Sequence, residues 1–369
     1  MIPVAESVFV RIPALAARHG AVNLAQGVFD HGPPDALLRA LVAAGQAEGA
    51  HQYAPSAGLP RLRQAVARRT SGAPDPDTEV TITAGATEAL HCAMLALLRP
   101  GDEAIVVEPA YEQYGPAIRA AGGVVVPVRL ADVRSSFADL LDSACTERTR
   151  VVVVNSPWNP LGRVLTAAEW TALARLARRR GVVVVSDETY EHLIPDRHRG
   201  VLDAVTDPEL RVKVSSVSKS LAATGWRVGW AVAGPGLTRR IRAVHQYVTF
   251  CPAVPLQHAV ADVLDEDFGV VAEVARDLRD RATSFAERLT GLGLRADVPA
   301  CPFYLVVDVG EPAEAWCDRL VLDGGVAALP LSVFYSEPAS AAGTMVRFAV
   351  CKRRETLDTA ARRLAERLS

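Results

Sequence analysis

The chain has 369 residues, half of them hydrophobic and 22% charged, and carries a formal net charge of −2. That length suits two domains or one large α/β domain with a smaller lobe, and the apolar content excludes global disorder. The near-neutral balance speaks against nucleic acid or an anionic membrane as a partner, and six scattered cysteines with no C-x-x-C pair fit a reducing, cytoplasmic compartment and no metal site.

The first twenty residues, MIPVAESVFVRIPALAARHG, lack a basic start followed by a long apolar core, so no signal peptide is expected. No stretch reaches the roughly 18 uninterrupted apolar residues of a membrane span. From about Val80 to Val232, short valine-rich runs alternate with amphipathic stretches. The runs are VTITAG, EAIVVEP, GVVVPV, RVVVVNSP, GVVVVSDE and VKVSSVS, followed by WRVGWAVAG. Their nearly continuous apolar character predicts strands buried on both faces. Between them, Thr166 and Glu169 fit a helical capping box, Trp170, Leu173 and Leu176 form an apolar stripe, and Gly181 fits a left-handed cap. Such alternation predicts an α/β fold with a mainly parallel central sheet and helices on both faces.

After about Pro252 the pattern changes. Pro255 to Leu289 reads as one long helix, followed by two strand candidates, FYLVVDV and TMVRFAV, and a final amphipathic helix, RETLDTAARRLAERL. We expect a large domain over residues 38–270 and a smaller α+β domain formed by residues 1–37 and 271–369.

In an open α/β sheet, ligands gather beyond the carboxyl ends of the strands. The first run exits into Gly85, Ala86 and Thr87 at a helix start, which fits a phosphate cradle and equally an ordinary tight turn. The second exits into Tyr111, an aromatic that fits a ring stack or the core. Another exits into NSPWNPLG, where Asn155 and Asn159 fit ligand donors or turn formers. GVVVV exits into Asp187, with Tyr190 three residues on; an acid at the end of a buried strand requires a cationic partner. The last exits into SSVSKS, where one amine, Lys219, sits among hydroxyls. Together these exits fit a flat, cationic, phosphorylated aldehyde, and pyridoxal 5′-phosphate meets each demand.

The blocks IPALAARHGAVNLAQG, HQYAPSAGLPRLRQAVA, TAGATEAL, SDETYEH, TGWRVGW and VRFAV, in this order, resemble the fold-type I, class I/II aminotransferases that use pyridoxal 5′-phosphate. Within them the chain is most similar to the methionine, kynurenine and glutamine-transaminase branch. The resemblance implies that Lys219 forms the internal aldimine and later shuttles the Cα proton. It implies that Asp187 pairs with the pyridine nitrogen, that Tyr190 and Asn159 bond the ring 3′-oxygen, and that Tyr111 stacks on the ring. The phosphate would lie on Ala86 and Thr87, with Ser216 and Arg227 completing the cup. Tyr53 would reach the phosphate of the neighbouring subunit, making a homodimer part of the site. Arg347 would grip the substrate α-carboxylate, helped by the Gly27 backbone. The expected reaction is ping-pong transfer of an amino group from an α-amino acid with an apolar, thioether or aromatic side chain to a 2-oxo acid.

The chain departs from that branch at Val28, Phe29 and His31, at Trp158 and at Cys251, all expected near the substrate. The alternative activity is a β-lyase acting on a cysteine S-conjugate or another specialised amino acid, because side-chain expulsion can follow the same first step. A non-catalytic cofactor-sensing regulator would need a basic helix-turn-helix segment ahead of the fold, and the family pattern begins almost at the first residue.

Overall fold

The structure is a computed structural model that describes residues 8–129, 136–266, 268–337 and 342–368. Residues 1–7, 338–341 and 369 of the expected small domain therefore lie outside the described residues, as do residues 130–135 and 267 of the expected large domain.

The strands in chain order are β1 (Val22–Asn23), β2 (Val80–Thr83), β3 (Glu103–Glu108), β4 (Val124–Arg129), β5 (Thr149–Asn155) and β6 (Val183–Asp187). They continue with β7 (Arg211–Ser216), β8 (Gly229–Ala233), β9 (Tyr304–Asp308), β10 (Val326–Ala327), β11 (Leu329–Pro330) and β12 (Met345–Ala349). Seven of them form the central sheet in the order β2-β8-β7-β6-β5-β3-β4. All its pairings are parallel except those of β8, which runs antiparallel to both β2 and β7.

The valine runs explain this sheet. Alternate residues of a strand point to opposite faces, so Val151 and Val153 of β5 join Val183 and Val185 of β6 in one apolar layer. Leu90, Ala93, Ile118, Leu237 and Ile241 cover that layer from the helices Gly85–Leu97, Tyr114–Ala120 and Pro235–Val248. Val152, Val154 and Val184 point the other way, onto Trp170, Leu173 and Leu176 of the helix Ala167–Arg180. That helix begins at the expected Thr166–Glu169 capping box and ends at Gly181 with φ 65°. The expectation of strands buried on both faces fails at β4. Among the described residues it pairs only with β3, and at this edge of the sheet it leaves Val124 exposed.

The expected long helix from Pro255 to Leu289 is two helices, Val254–Glu266 and Gly269–Gly291. Phe268, at the start of the second, carries the Arg69 guanidinium over its ring at 4.4 Å and His192 edge-on at 5.3 Å. Those contacts anchor the chain against the central domain where an unbroken helix would have run on.

The C-terminal part forms an antiparallel sheet, β11-β12-β9, packed with the helices Gly269–Gly291, Ala313–Leu322 and Arg354–Leu368 around Phe285, Phe303, Leu305, Leu320 and Phe348. The N-terminal segment is tied to this lobe. β1 pairs in parallel with β10, and Leu24 enters the same core. The architecture is α/β, a mainly parallel sheet with helices on both faces beside a smaller α+β lobe. Among the described residues no helix is long and apolar enough to cross a membrane.

Candidate active site

The carboxyl ends of β5, β6 and β7 and the start of the helix Gly85–Leu97 open onto one cavity of about 260 Å³. Ala86, Thr87, Tyr111, Asn159, Asp187, Tyr190, Ser216, Lys219, Arg227 and Gly27 all line it. The residues expected from separate strand exits are thus brought together. Tyr53 and Arg347 do not line this cavity.

One end of the cavity is built to hold an anion. Gly85 takes φ 78°, and a Cβ there would lie 2.4 Å from Arg227 Nη2, so only glycine lets the guanidinium lie against the helix start. A Cβ on Gly229 of β8 would lie 2.7 Å from Ala86 N, which explains glycine at that second close approach. Ala84, ahead of the helix, offers no side-chain cap, leaving N–H groups of the first turn pointed at the cavity end. Arg227 Nη2 donates to Thr87 Oγ1 at 3.3 Å, and Ser216 caps the short helix Val217–Ser220 through Ser218 N. N–H groups, two hydroxyls and one guanidinium therefore converge.

The middle of the cavity carries a buried acid. Asp187 Oδ1 accepts from Thr189 Oγ1 at 2.7 Å and from Thr189 N at 3.2 Å, while Oδ2 accepts from Tyr114 Oη at 2.8 Å. Burial raises its pKa, the hydrogen bonds from Thr189 and Tyr114 opposing that rise. Among the described residues no cationic side chain pairs with Asp187. A cation presented from the cavity would offset its burial, and a protonated pyridine nitrogen has that charge and shape. Tyr190 Oη lies 3.1 Å from Tyr304 Oη, and burial raises its phenol well above the ordinary value.

Lys219 Nζ donates to Gly27 O at 2.6 Å and lies 5.0 Å from the Phe303 ring centroid. Burial lowers its pKa from 10.5 to about 8, and the positive charges of Arg347, Arg227 and Lys352 push in the same direction. The sign is direct: above about pH 8 the amine is neutral and nucleophilic. Reductive alkylation of the cofactor-free chain with a small aldehyde should therefore gain rate at Lys219 up to about pH 8 and then level off. An ordinary lysine would still be accelerating at about pH 10, and mass spectrometry of the labelled peptide separates the two curves.

Arg347, on β12, is fully buried behind the cavity. Nη1 donates to Asn159 Oδ1 at 2.7 Å and Nη2 to Ala25 O at 2.6 Å, while Nε has no hydrogen-bond partner among the described residues. Its guanidinium lies over the Tyr304 ring at 4.0 Å, with Phe334 and Phe9 also beside it. Tyr53 is 87% exposed, edge-on to Phe250, and borders a separate groove with Cys251.

Several expectations at the substrate end need correction. Trp158 adds no bulk to the cavity. It is buried under Arg163, donates Nε1 to Pro109 O and packs with Ile105 and Val107. Phe29 turns into the lobe core against Phe303, and His31 bonds Gly32 O and Arg281, so of that loop's three departures only Val28 lines the cavity. Cys251 does not line this cavity but borders the groove that carries Tyr53. Asn155, one of the two asparagines left open, is a turn former with a double duty, donating Nδ2 to Asp187 O and Pro157 O and accepting from Asn159 N.

Tyr114, Thr189, Tyr304, Phe9, Gln26 and Gln113 also line the cavity, beyond the residues expected from the sequence. Tyr114 follows Tyr111 at helical spacing, and Thr189 lies inside the DETY block; the signal for both is that Asp187 needs neighbours to solvate it. Nothing in the sequence places Phe9 or Tyr304 there, because each arrives from the other lobe.

Comparison with known proteins gives one answer. The model of the family aminotransferase class I and II matches residues 20–364. The solved N-succinyldiaminopimelate aminotransferase of Mycobacterium tuberculosis superposes with a TM-score of 0.92 at 39% identity, covering 100% of this chain and 98% of that one. An Escherichia coli protein with methionine aminotransferase function superposes with a TM-score of 0.93 at 36% identity, covering 99% and 98%. The mouse kynurenine–oxoglutarate transaminase 1 is 30% identical over 96% of this chain and 94% of its own.

Proposed function

The chain belongs to the class I and II aminotransferases, a family that uses pyridoxal 5′-phosphate, and from that premise we propose which of its residues run the reaction and on what substrate. The observation that carries the proposal is the convergence on one cavity of an anion cradle, a buried acid without a cationic partner and an amine with a lowered pKa.

When bound, the cofactor supplies an aldehyde that accepts an amino group and a ring that withdraws electrons from the substrate Cα. The N–H groups of Ala86 and Thr87, with Ser216 and Arg227, would hold its phosphate. Asp187 would hold the proton of the ring nitrogen, kept in place by Thr189 and Tyr114. Tyr190 would donate to the ring 3′-oxygen, as would Asn159 Nδ2, since its Oδ1 is already engaged by Arg347. Tyr111 would cover one ring face. Lys219 Nζ would supply the amine that holds the cofactor and the base that carries the Cα proton.

Arg347 would receive the substrate carboxylate. Among the described residues its Nε has no hydrogen-bond partner, and Phe9 and Tyr304, which line the cavity, pack against its guanidinium. Of the residues lining the cavity, the cationic ones are Lys219 and Arg227, both assigned to the cofactor. Other lining residues include Phe9, Val28, Leu90, Gln26, Gln113, Ser218, Thr224 and Tyr304, none of them cationic. Among the described residues of one chain, a second substrate carboxylate would find no unassigned cation lining the cavity, which favours amino acids with apolar, thioether or aromatic side chains.

We further propose that two protomers share the site, because Tyr53 and Tyr247 present exposed phenols outside the cavity that one chain forms. The pairing of β1 with β10 supports dividing the chain into residues 38–270 and a lobe of 1–37 with 271–369.

The test is a spectroscopic half-reaction. Methionine, phenylalanine or kynurenine should convert the bound cofactor to its amine form, and a 2-oxo acid should restore it, as a ping-pong cycle requires. A panel in which aspartate converts fastest would overturn the substrate assignment. Turnover that yields pyruvate and ammonia without a 2-oxo acid would replace transamination by β-elimination.

A further inference from the structure

Behind the active site lies a larger cavity of about 530 Å³, walled in part by Glu188, Glu191, His192, His198 and Lys213. The segment from Asp187 to Leu193 separates the two spaces. Asp187, Thr189 and Tyr190 line the first, while Glu188 and Glu191 line the second. Asp187 and Tyr190, the two proposed cofactor residues of this segment, are thus each followed immediately by a carboxylate facing away from the cofactor side.

Those carboxylates meet one buried cation. Lys213, on β7, is 3% exposed; its Nζ donates to Glu191 Oε2 at 2.5 Å and lies 3.9 Å from Glu188 Oε2. Glu188 is held from other directions too. Its Oε1 accepts from Val201 N at 2.8 Å, His198 Nε2 lies 3.4 Å from Oε2, and its backbone N donates to Val214 O. Gly200 is required beside it, since a Cβ there would lie 2.2 Å from Glu188 Oε2. Despite burial, which opposes both charges, Lys213 is held above and Glu191 below the ordinary values by their mutual attraction. A buried ion cluster is a poor source of net stability, because desolvation cancels most of its attraction. What it does well is fix geometry.

We propose that Lys213 is a positioning residue. Its ammonium clamps Glu188 and Glu191 from behind and thereby sets the places of Asp187 and Tyr190 on the cofactor side. The proposal rests on the assignment of Asp187 and Tyr190 to the cofactor. Lys213 itself lies outside the cavity where that cofactor would sit, separated from it by the Asp187–Leu193 segment.

The experiment strips the full-length chain of cofactor and titrates pyridoxal 5′-phosphate back by absorbance, with thermal melting of the stripped chain alongside. Lys213→Met should weaken cofactor binding by about ten- to a hundredfold, the range seen when partners behind a ligand set are lost, and should lower the melting temperature by orphaning two carboxylates. Lys213→Met with Glu191→Gln should recover melting, since the strongest orphan charge is gone, while binding stays weak. Cofactor binding that is unchanged in either variant, or that recovers together with melting in the double variant, overturns the clamp. Should the single variant fail to fold, the double variant is read alone: weakened binding supports the clamp and unaltered binding removes it. Asp187→Asn serves as the reference, because unaltered binding there would strike the site assignment and not the clamp.

Discussion

Lys219→Ala should abolish multiple turnover, a loss of at least about 10³-fold, and should remove the absorbance band of the lysine-bound cofactor while the chain stays folded. Both halves of that result follow from the surroundings of the amine. Lys219 Nζ makes one hydrogen bond, to Gly27 O, and faces the Phe303 ring otherwise. Its pKa is lowered mainly by burial, so the protein spends stability to keep it there and no carboxylate depends on its charge. Alanine therefore orphans only the Gly27 carbonyl, a cost of about 1 kcal/mol, and circular dichroism and melting should stay near those of the parent chain. The chemistry has no substitute. Among the residues lining the cavity Lys219 supplies the sole amine, and the phenols of Tyr190 and Tyr304 are held well on the protonated side of neutral pH. Stopped-flow measurement of a single half-reaction beside steady-state assay would check this, and steady turnover within about tenfold of the parent would contradict the assignment of Lys219.

What the sequence disclosed and what it withheld divide along a physical line. A valine run buried on both faces can end only where its helix layer ends, so the residue after it is forced toward the open edge of the sheet. That is why Tyr111, Asp187 and Lys219 could be placed on one cavity from their positions in the chain, and the structure puts all three there. Contacts made across lobes have no such local signature. Phe9 and Tyr304 reach the cavity from the N-terminal segment and β9, and Arg347 lies behind Tyr304 with its guanidinium already bonded to Asn159 and Ala25. Trp158 misled for a different reason, since its contacts stay within the large domain. As a departure from the resembled branch it was expected near the substrate, but its indole N–H donates to Pro109 O in the core beneath. Nothing in VKVSSVS marks Lys213, because Glu188 and Glu191, which face it, come from another stretch of the chain.

Asp187→Asn should lower kcat by about 10²- to 10³-fold, the scale on which one preorganised electrostatic partner acts in a water-poor site. The substitution conserves size and removes charge, so its effect isolates the ionised carboxylate. The scaffold around it tolerates the amide. The amide oxygen would still accept from Thr189 N and Oγ1, and the Tyr114 hydroxyl, now donating to Asp187, would turn to accept from the new NH2 group. Folding should accordingly change little. What is lost is the negative charge that would hold a proton on the cofactor ring nitrogen, and with it the capacity of that ring to draw electrons from Cα. Because that demand is greatest in the transition state, kcat should fall much more than KM rises. Tyr114→Phe provides the graded comparison. It removes one hydrogen bond and keeps the charge, and should cost only about tenfold. Steady-state kinetics of both variants, with absorbance titration against pH to follow the protonation of the bound ring, would check the ordering. An Asp187→Asn variant with kcat within about twofold of the parent would mean that the buried acid at the end of β6 serves the fold alone.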